Sequence, residues 1–144
     1  MVKFFTKKQE QRIIAAIREA ESQTSGEIRV HLEQEIIGDV QSVGLRIFHE
    51  LEMDQTADRN GVLIFIVPEV RRFAIIGDEG INRVVPAHFW EDVRDLMQRN
   101  FRQGDFVLGV CEGIQLAGKK LKEHFPHAGS DDVNELPDEI SYGR

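Results

Sequence analysis

The stretch DRNGVLIFIVPEVRRFAIIGDEGIN, residues 58–82, narrows the choice of fold more than any other part of the chain. Residues 61–67, GVLIFIV, show no polar alternation, so a strand formed there must be buried on both faces, inside a sheet. Pro68–Glu69 supplies a turn, proline fixing the φ of its first central position. RRFAIIGD, residues 71–78, then returns as an antiparallel partner. Both strands end in acidic loops: Asp58 with the Asn60–Gly61 turn before the first, and Gly77–Asp78–Glu79–Gly80 after the second. Function gathers where such ends converge on one edge of a sheet, which makes these loops the first place to look.

The flanking sequence supplies cover for a buried strand. Thr6 and Gln9 have capping-box spacing, and Ile13, Ile14, Ile17 and Ala20 recur at helical intervals, predicting an amphipathic helix over 7–23. Residues 27–34, EIRVHLEQ, alternate Ile28, Val30 and Leu32 with Glu27, Arg29, His31 and Glu33, which predicts a strand with one less apolar face. Gly38–Asp39 opens a second helix reaching about Met53. Residues 81–85 fit no single pattern. Pro86 suits the first turn of a helix to about Gln103, with Phe89, Trp90, Val93, Leu96, Met97 and Phe101 as core candidates. Asp105 then reads as the N-cap of a last helix over 106–124. This order predicts one α/β domain over 1–125: a three-layer α/β/α sandwich on a small mixed sheet, a parallel crossover plus an antiparallel hairpin. Residues 126–144 hold five acidic side chains between Asp131 and Glu139, and read as an acidic tail, solvated or docked through Leu136, Ile140 and Tyr142.

Composition removes several function classes. A net charge of −7 with scattered Lys and Arg, the tightest pair in the domain being Arg71–Arg72, argues against a grip on nucleic acid. The single cysteine, Cys111, excludes an intramolecular disulfide and a thiolate zinc cluster, and its neighbours Val107, Val110 and Ile114 place it in a core. MVKFFTKKQE has no signal-peptide hydrophobic region, and the longest apolar run, Val62–Val67, is too short to span a bilayer. The expectation is a cytoplasmic protein with no membrane insertion.

Catalytic fingerprints are sparse. HELEM at His49–Met53 has Met53 where a zinc-protease motif needs its second histidine, and there is no GxSxG, Walker or GxGxxG motif. His31 reads as a surface or edge side chain of its strand, and His88, His124 and His127 form no cluster in sequence. What remains is oxygen chemistry: Asp58, Asp78, Glu79 and Asp105 are loop carboxylates of the kind hard cations use. Each also has a local reading, with Asp58 capping the Asn60–Gly61 turn, Asp78 starting a short helix and Asp105 capping the last one.

At these residues the chain resembles the TPM domain family of thylakoid-lumen, photosystem-repair and nematode receptor-auxiliary proteins. The matching pieces are SGEIRVHL at 25–32, DRNGVLIFIV at 58–67, RRFAIIGDEGIN at 71–82 and FRQGDFVLGVCEGI at 101–114, spread over residues 5–125. The resemblance implies an α/β/α sandwich and, in some members, a divalent-cation site, often calcium, in loops at one sheet edge. It marks Asp58, Asp78, Glu79 and Asp105 as ligands for Ca²⁺ or Mg²⁺. Acid phosphatase activity is attributed to some members, while others resemble non-catalytic folding or assembly factors. This chain departs in having neither signal nor anchor and in its more acidic 77–80 loop; its ending, NELPDEISYG, is similar to a short cytoplasmic bacterial branch. The favoured expectation is a binding or quality-control module for client or partner proteins, since no nucleophile–base pair is visible. The alternative is a metal-assisted acid phosphatase.

Overall fold

The apolar run forms a strand with no solvent-facing side. The computed structural model describes residues 4–127, 129 and 134–143. In chain order the elements are α1 (Lys7–Glu21), β1 (Glu27–Leu32), α2 (Val40–Glu50), β2 (Gly61–Val67), β3 (Arg72–Gly77), α3 (Glu79–Asn82), α4 (Glu91–Arg102), α5 (Phe106–Lys122) and β4 (Ser141–Tyr142), with a 3₁₀ turn at Pro68–Val70. The sheet order is β3-β2-β1-β4: β1 is parallel to β2 and to β4, and β3 is antiparallel to β2. All seven β2 residues are buried. Val62, Ile64 and Ile66 face a core built with α1, α4 and α5. Leu63, Phe65 and Val67 face a second core against α2, Met53 and Leu136. At about 1.5–3 kcal/mol for each large apolar side chain fully buried, this strand alone justifies a helical layer on each face. The α/β/α sandwich on a mixed sheet is the expected architecture.

Local chemistry explains most boundaries. Thr6 Oγ1 accepts from Gln9 N at 3.1 Å and Gln9 Oε1 accepts from Thr6 N at 2.9 Å, closing the capping box that starts α1. Asp39 Oδ1 accepts from Ser42 N at 3.0 Å at the start of α2. The helix expected from Pro86 begins only at Glu91. Residues 86–90 instead make successive i→i+3 turns, Phe89 N to Pro86 O and Glu91 N to His88 O, each 3.1 Å. The turns drive Phe89 into the core with Trp90 edge-on to it at 4.7 Å, a burial that a continuous helix does not provide. Trp90 and Phe101 pack only partly buried against that core, and Cys111 is buried in it.

The tail docks through Leu136, Asp138 and residues 141–143; residues 130–133 lie outside the described residues. Ser141 and Tyr142 pair in register with His31 and Leu32, and Gly143 N donates to Leu32 O at 2.8 Å. Leu136 is buried against the α2 core, and its N–H donates to Glu27 Oε1 at 2.6 Å. Asp138 meets Arg18 at 3.3 Å, and the Tyr142 hydroxyl donates to Glu10. The tail thus supplies the cover that α2, the only helix of eight or more described residues on that face, leaves open beside β1.

One carboxyl in this contact carries a proton. Burial raises the Glu21 pKa to about 9 from 4.5, helped by its hydrogen bond with Asp138 and by the charges of Asp138 and Glu27, and opposed by the Ile28 N–H. Burial also works to raise Asp138, but hydrogen bonds from Glu21, Asn134 and Arg18 outweigh it and lower its pKa. The folded chain therefore holds a proton that the unfolded chain releases. The contribution is full below about 4.5 and fades as pH rises toward about 9. The urea midpoint is predicted to fall across that window, with faster amide exchange at Leu136 and Gly143, and Glu21→Gln is predicted to flatten the fall. An unchanged slope in the variant places the proton elsewhere.

Candidate functional site

Three places deserve a chemical reading: the acidic corner where β2 begins, the polar row of β1 under the tail, and a concavity at the far end of β2.

At the corner, Arg59 is the organising residue. It takes the left-handed conformation, φ 50°, which a non-glycine residue adopts only when held there. Its Nε and Nη2 donate to Asp78 Oδ2 and Oδ1 at 2.8 and 2.9 Å, and its Nη1 lies 3.7 Å from Glu79 Oε2. Asp78 is 4% exposed, and its Oδ1 also accepts from Glu79 N at 2.8 Å, which starts α3 as its local reading anticipated. Gly80 completes the join: its N–H donates to Arg59 O at 2.9 Å, and a Cβ there would sit 2.2 Å from Asp58 O. Only glycine allows the two loops this close an approach.

The four carboxylates singled out in the sequence are not gathered. Asp78 and Glu79 meet at Arg59. Asp58 is exposed beside them and, among the described residues, makes no side-chain hydrogen bond, so it does not cap the turn. Asp105 occupies the N-cap position of α5 without a side-chain capping bond. It follows Gly104, which borders the concavity near Pro68, at the opposite end of β2 from Asp78, whose N–H donates to Gly61 O. Seven residues of strand put about 20 Å between those ends. Among the described residues no group of three or more His, Cys, Asp or Glu is placed to hold a metal ion. The corner as folded does not fit a calcium centre made from these four residues. Its cation is the guanidinium of Arg59, whose own pKa is raised, first by the hydrogen bond with Asp78.

The second place corrects the reading of His31 as a surface or edge residue. His31 is 3% exposed, because β4 pairs outside β1 and turns it into an interior strand. Its Nδ1 lies 2.7 Å from Ser141 Oγ and its Nε2 2.9 Å from Glu33 Oε1, and the ring stacks on Phe65. Burial lowers its pKa against the raising effect of Glu33, so the imidazole is held toward its neutral form. Ser141, His31 and Glu33 follow the order of a nucleophile relay. Their shared geometric role, however, is to clasp the tail to β1, since Ser141 lies on the paired strand itself.

The third place was not legible as a site in the sequence. A concavity of about 570 Å³ opens where β2 ends, floored by Phe73, Phe101 and Phe106 and rimmed by Arg71, Arg72 and Arg102. Phe101 and Phe106 stack at 4.6 Å, and Phe73 meets Phe101 edge-on at 5.3 Å. Gly109 permits this packing, since a Cβ there would fall 2.7 Å from Phe101 Cε1. Among the described residues none of the three arginines forms an ion pair, in a chain of net charge −7. Arg71 too is left-handed, at φ 55°, and it closes the 3₁₀ turn. The available signals were the Arg71–Arg72 pair and the aromatic residues of FRQGDF; only the fold brings them together.

The Arg59 contact generates a direct expectation. Arg59→Gln leaves Asp78 buried without a countercharge, so the melting temperature should fall at neutral pH. The Arg59→Gln/Asp78→Asn pair should recover most of that deficit. Identical melting of parent and single variant would show that the ion pair does not hold the corner.

Comparison with known proteins agrees with the architecture. A family model described as the TPM domain matches residues 1–120. Among solved structures, the BA42 protein of the psychrophilic bacterium Bizionia argentinensis is 46% identical, with TM-score 0.93 over 99% of this chain and 98% of that one. The N-terminal domain of a P. gingivalis protein is 20% identical, with TM-score 0.68 over 85% of this chain and 81% of that one. The N-terminal domain of the Corynebacterium glutamicum cg2496 protein is 13% identical, with TM-score 0.64 over 98% and 81%. These last two share the fold. No curated protein matches.

Proposed function

The chain belongs to the TPM domain family, and from that premise we propose that it is a non-catalytic binding module that holds a partner or client protein. One observation carries this reading: the distribution of unsatisfied groups. Of the carboxylates a metal-assisted hydrolase would use, Asp78 is engaged through both oxygens with Arg59, Glu79 lies against the same guanidinium, and Asp105 sits at the far end of β2. Arg71, Arg72 and Arg102, which form no ion pair among the described residues, ring an aromatic concavity. Paired charges hold a structure together, whereas unpaired arginines beside exposed aromatic surface are the composition of a binding surface.

Two further facts bear on the reading. Phe4 is 49% exposed at the concavity, an apolar surface that a soluble chain leaves open at some cost. No helix among the described residues is long and apolar enough to cross a membrane. Calcium or magnesium enters this reading only as a competitor of Arg59 for Asp78. A cation-dependent rise in melting temperature would show that the guanidinium can be displaced.

The test pairs two assays on the full chain. Stoichiometric protein is predicted to suppress light scattering from a heat-denatured client. Hydrolysis of a generic phosphomonoester is predicted to equal the protein-free rate with either Ca²⁺ or Mg²⁺. Phosphatase activity abolished by Asp58→Asn, in a variant that still folds, overturns the binding-module reading in favour of the metal-assisted hydrolase.

A further inference from the structure

We propose that the concavity at the end of β2 receives the carboxyl end of an extended peptide. The last side chain, aromatic or large aliphatic, rests on Phe73, Phe101 and Phe106, and the free carboxylate is held by Arg72 and Arg102. This assigns ligand chemistry to the binding reading above and rests on it.

Four observations select that occupant. The floor is three phenylalanines joined through Phe101, which contacts both Phe73 and Phe106, and this suits a flat or bulky apolar group and offers it no hydrogen bond. Arg71, Arg72 and Arg102 border that floor without carboxylate partners, and a guanidinium pairs with a carboxylate in planar, two-pronged geometry. The volume of about 570 Å³ lies within the range of small-ligand sites, about 300–1,000 Å³, so it takes a chain end and not a folded segment. Finally, β3 is one of the two edge strands of the sheet and the longer of them, and Phe73 and Arg72 belong to it. An extended backbone arriving there has a strand to lie along, as in other cases where a peptide end is bound beside a sheet edge.

Net charge points the same way. A polyanion approaching a chain of −7 is repelled over its whole length, whereas a single carboxylate on an apolar residue meets only the local positive rim. Asp105 and Glu69 lie beside that rim in sequence, and both are exposed. They limit the local charge and so favour one negative group over several.

The experiment is a titration of isotope-labelled full-length protein, read by backbone amide shifts. The probes are acetyl-Ala-Ala-Phe with a free carboxylate, the same peptide as its amide, phenyl phosphate and inorganic phosphate. The free acid is predicted to give saturable shifts at residues 71–73 and 101–106, with the amide binding about tenfold more weakly, the loss typical of one charge-assisted hydrogen bond. Arg72→Gln and Arg102→Gln should each weaken the acid by a similar factor while leaving shifts elsewhere in the spectrum unchanged. Equal binding of acid and amide, no saturable shift, or tighter binding of phenyl phosphate or inorganic phosphate at these residues each overturns the assignment. If client protection persists while the peptide acid fails, the binding-module reading stands and only this ligand is wrong. If both fail, both fall.

Discussion

Everything else in this structure follows from a strand that cannot touch water. Val62, Ile64 and Ile66 need one apolar layer, and Leu63, Phe65 and Val67 need another. The first is provided generously by α1, α4 and α5, whose apolar stripes meet over the sheet. The second has α2 as its one helix of eight or more described residues. A helix about 10 Å across covers roughly two strands spaced about 4.8 Å apart, so β1's outer side on that face stays bare unless something else reaches it. The tail does so with Leu136 and with two residues of strand beside His31 and Leu32. The acidic tail is thus part of the fold's solution to its own central constraint.

What could be read in the sequence divides along the same line. The run Val62–Val67, the Pro68 turn, the Thr6–Gln9 box and the helical stripes are local patterns, and each became the element it predicted. The polar row Glu27, Arg29 and His31 was read as a less apolar face, and by itself that reading is sound. Its burial depends on residues more than a hundred positions away, Leu136 bonding Glu27 and Ser141 bonding His31. No periodicity reports such a pairing, and a segment containing Pro137, Asp138 and Glu139 has little strand propensity. The shift in the start of α4 has a similar cause: Pro86 can open a helix, but the core claims Phe89 first.

The candidate site was legible as chemistry and not as geometry. The hairpin brings Asp58, Asp78 and Glu79 to one corner, because strand pairing brings the start of β2 to the end of β3. Arg59 reads in the sequence, with Arg71 and Arg72, as a source of positive charge of unknown direction, and not as the partner of Asp78. A left-handed backbone turns its side chain onto Asp78, and a conformation of that kind is unreadable from residue type unless the residue is Gly, Asn or Asp. Asp105 was grouped with the others as a loop carboxylate, and the resemblance kept it there, but the chain delivers it to the far end of β2 through α4.

The two ends of β2 then differ in a way that bears on edge protection. The two-residue β4 forms the edge on the β1 side, and the six-residue β3 is the other, longer edge. Natural sheets guard such edges with charge, and Arg71–Arg72 at the head of β3 can be read as a guard alone. That reading explains two arginines pointing to solvent. It does not explain Arg102, which comes from α4 to the same rim, nor three phenylalanines from three different elements meeting beneath it. A guard repels a second strand best when its surroundings are polar, because exposed aromatic rings attract what the charges are meant to keep away. Aromatic floor and basic rim together reject a neutral strand edge while admitting an apolar group that brings its own negative charge, so one arrangement protects the edge from aggregation and selects its ligand.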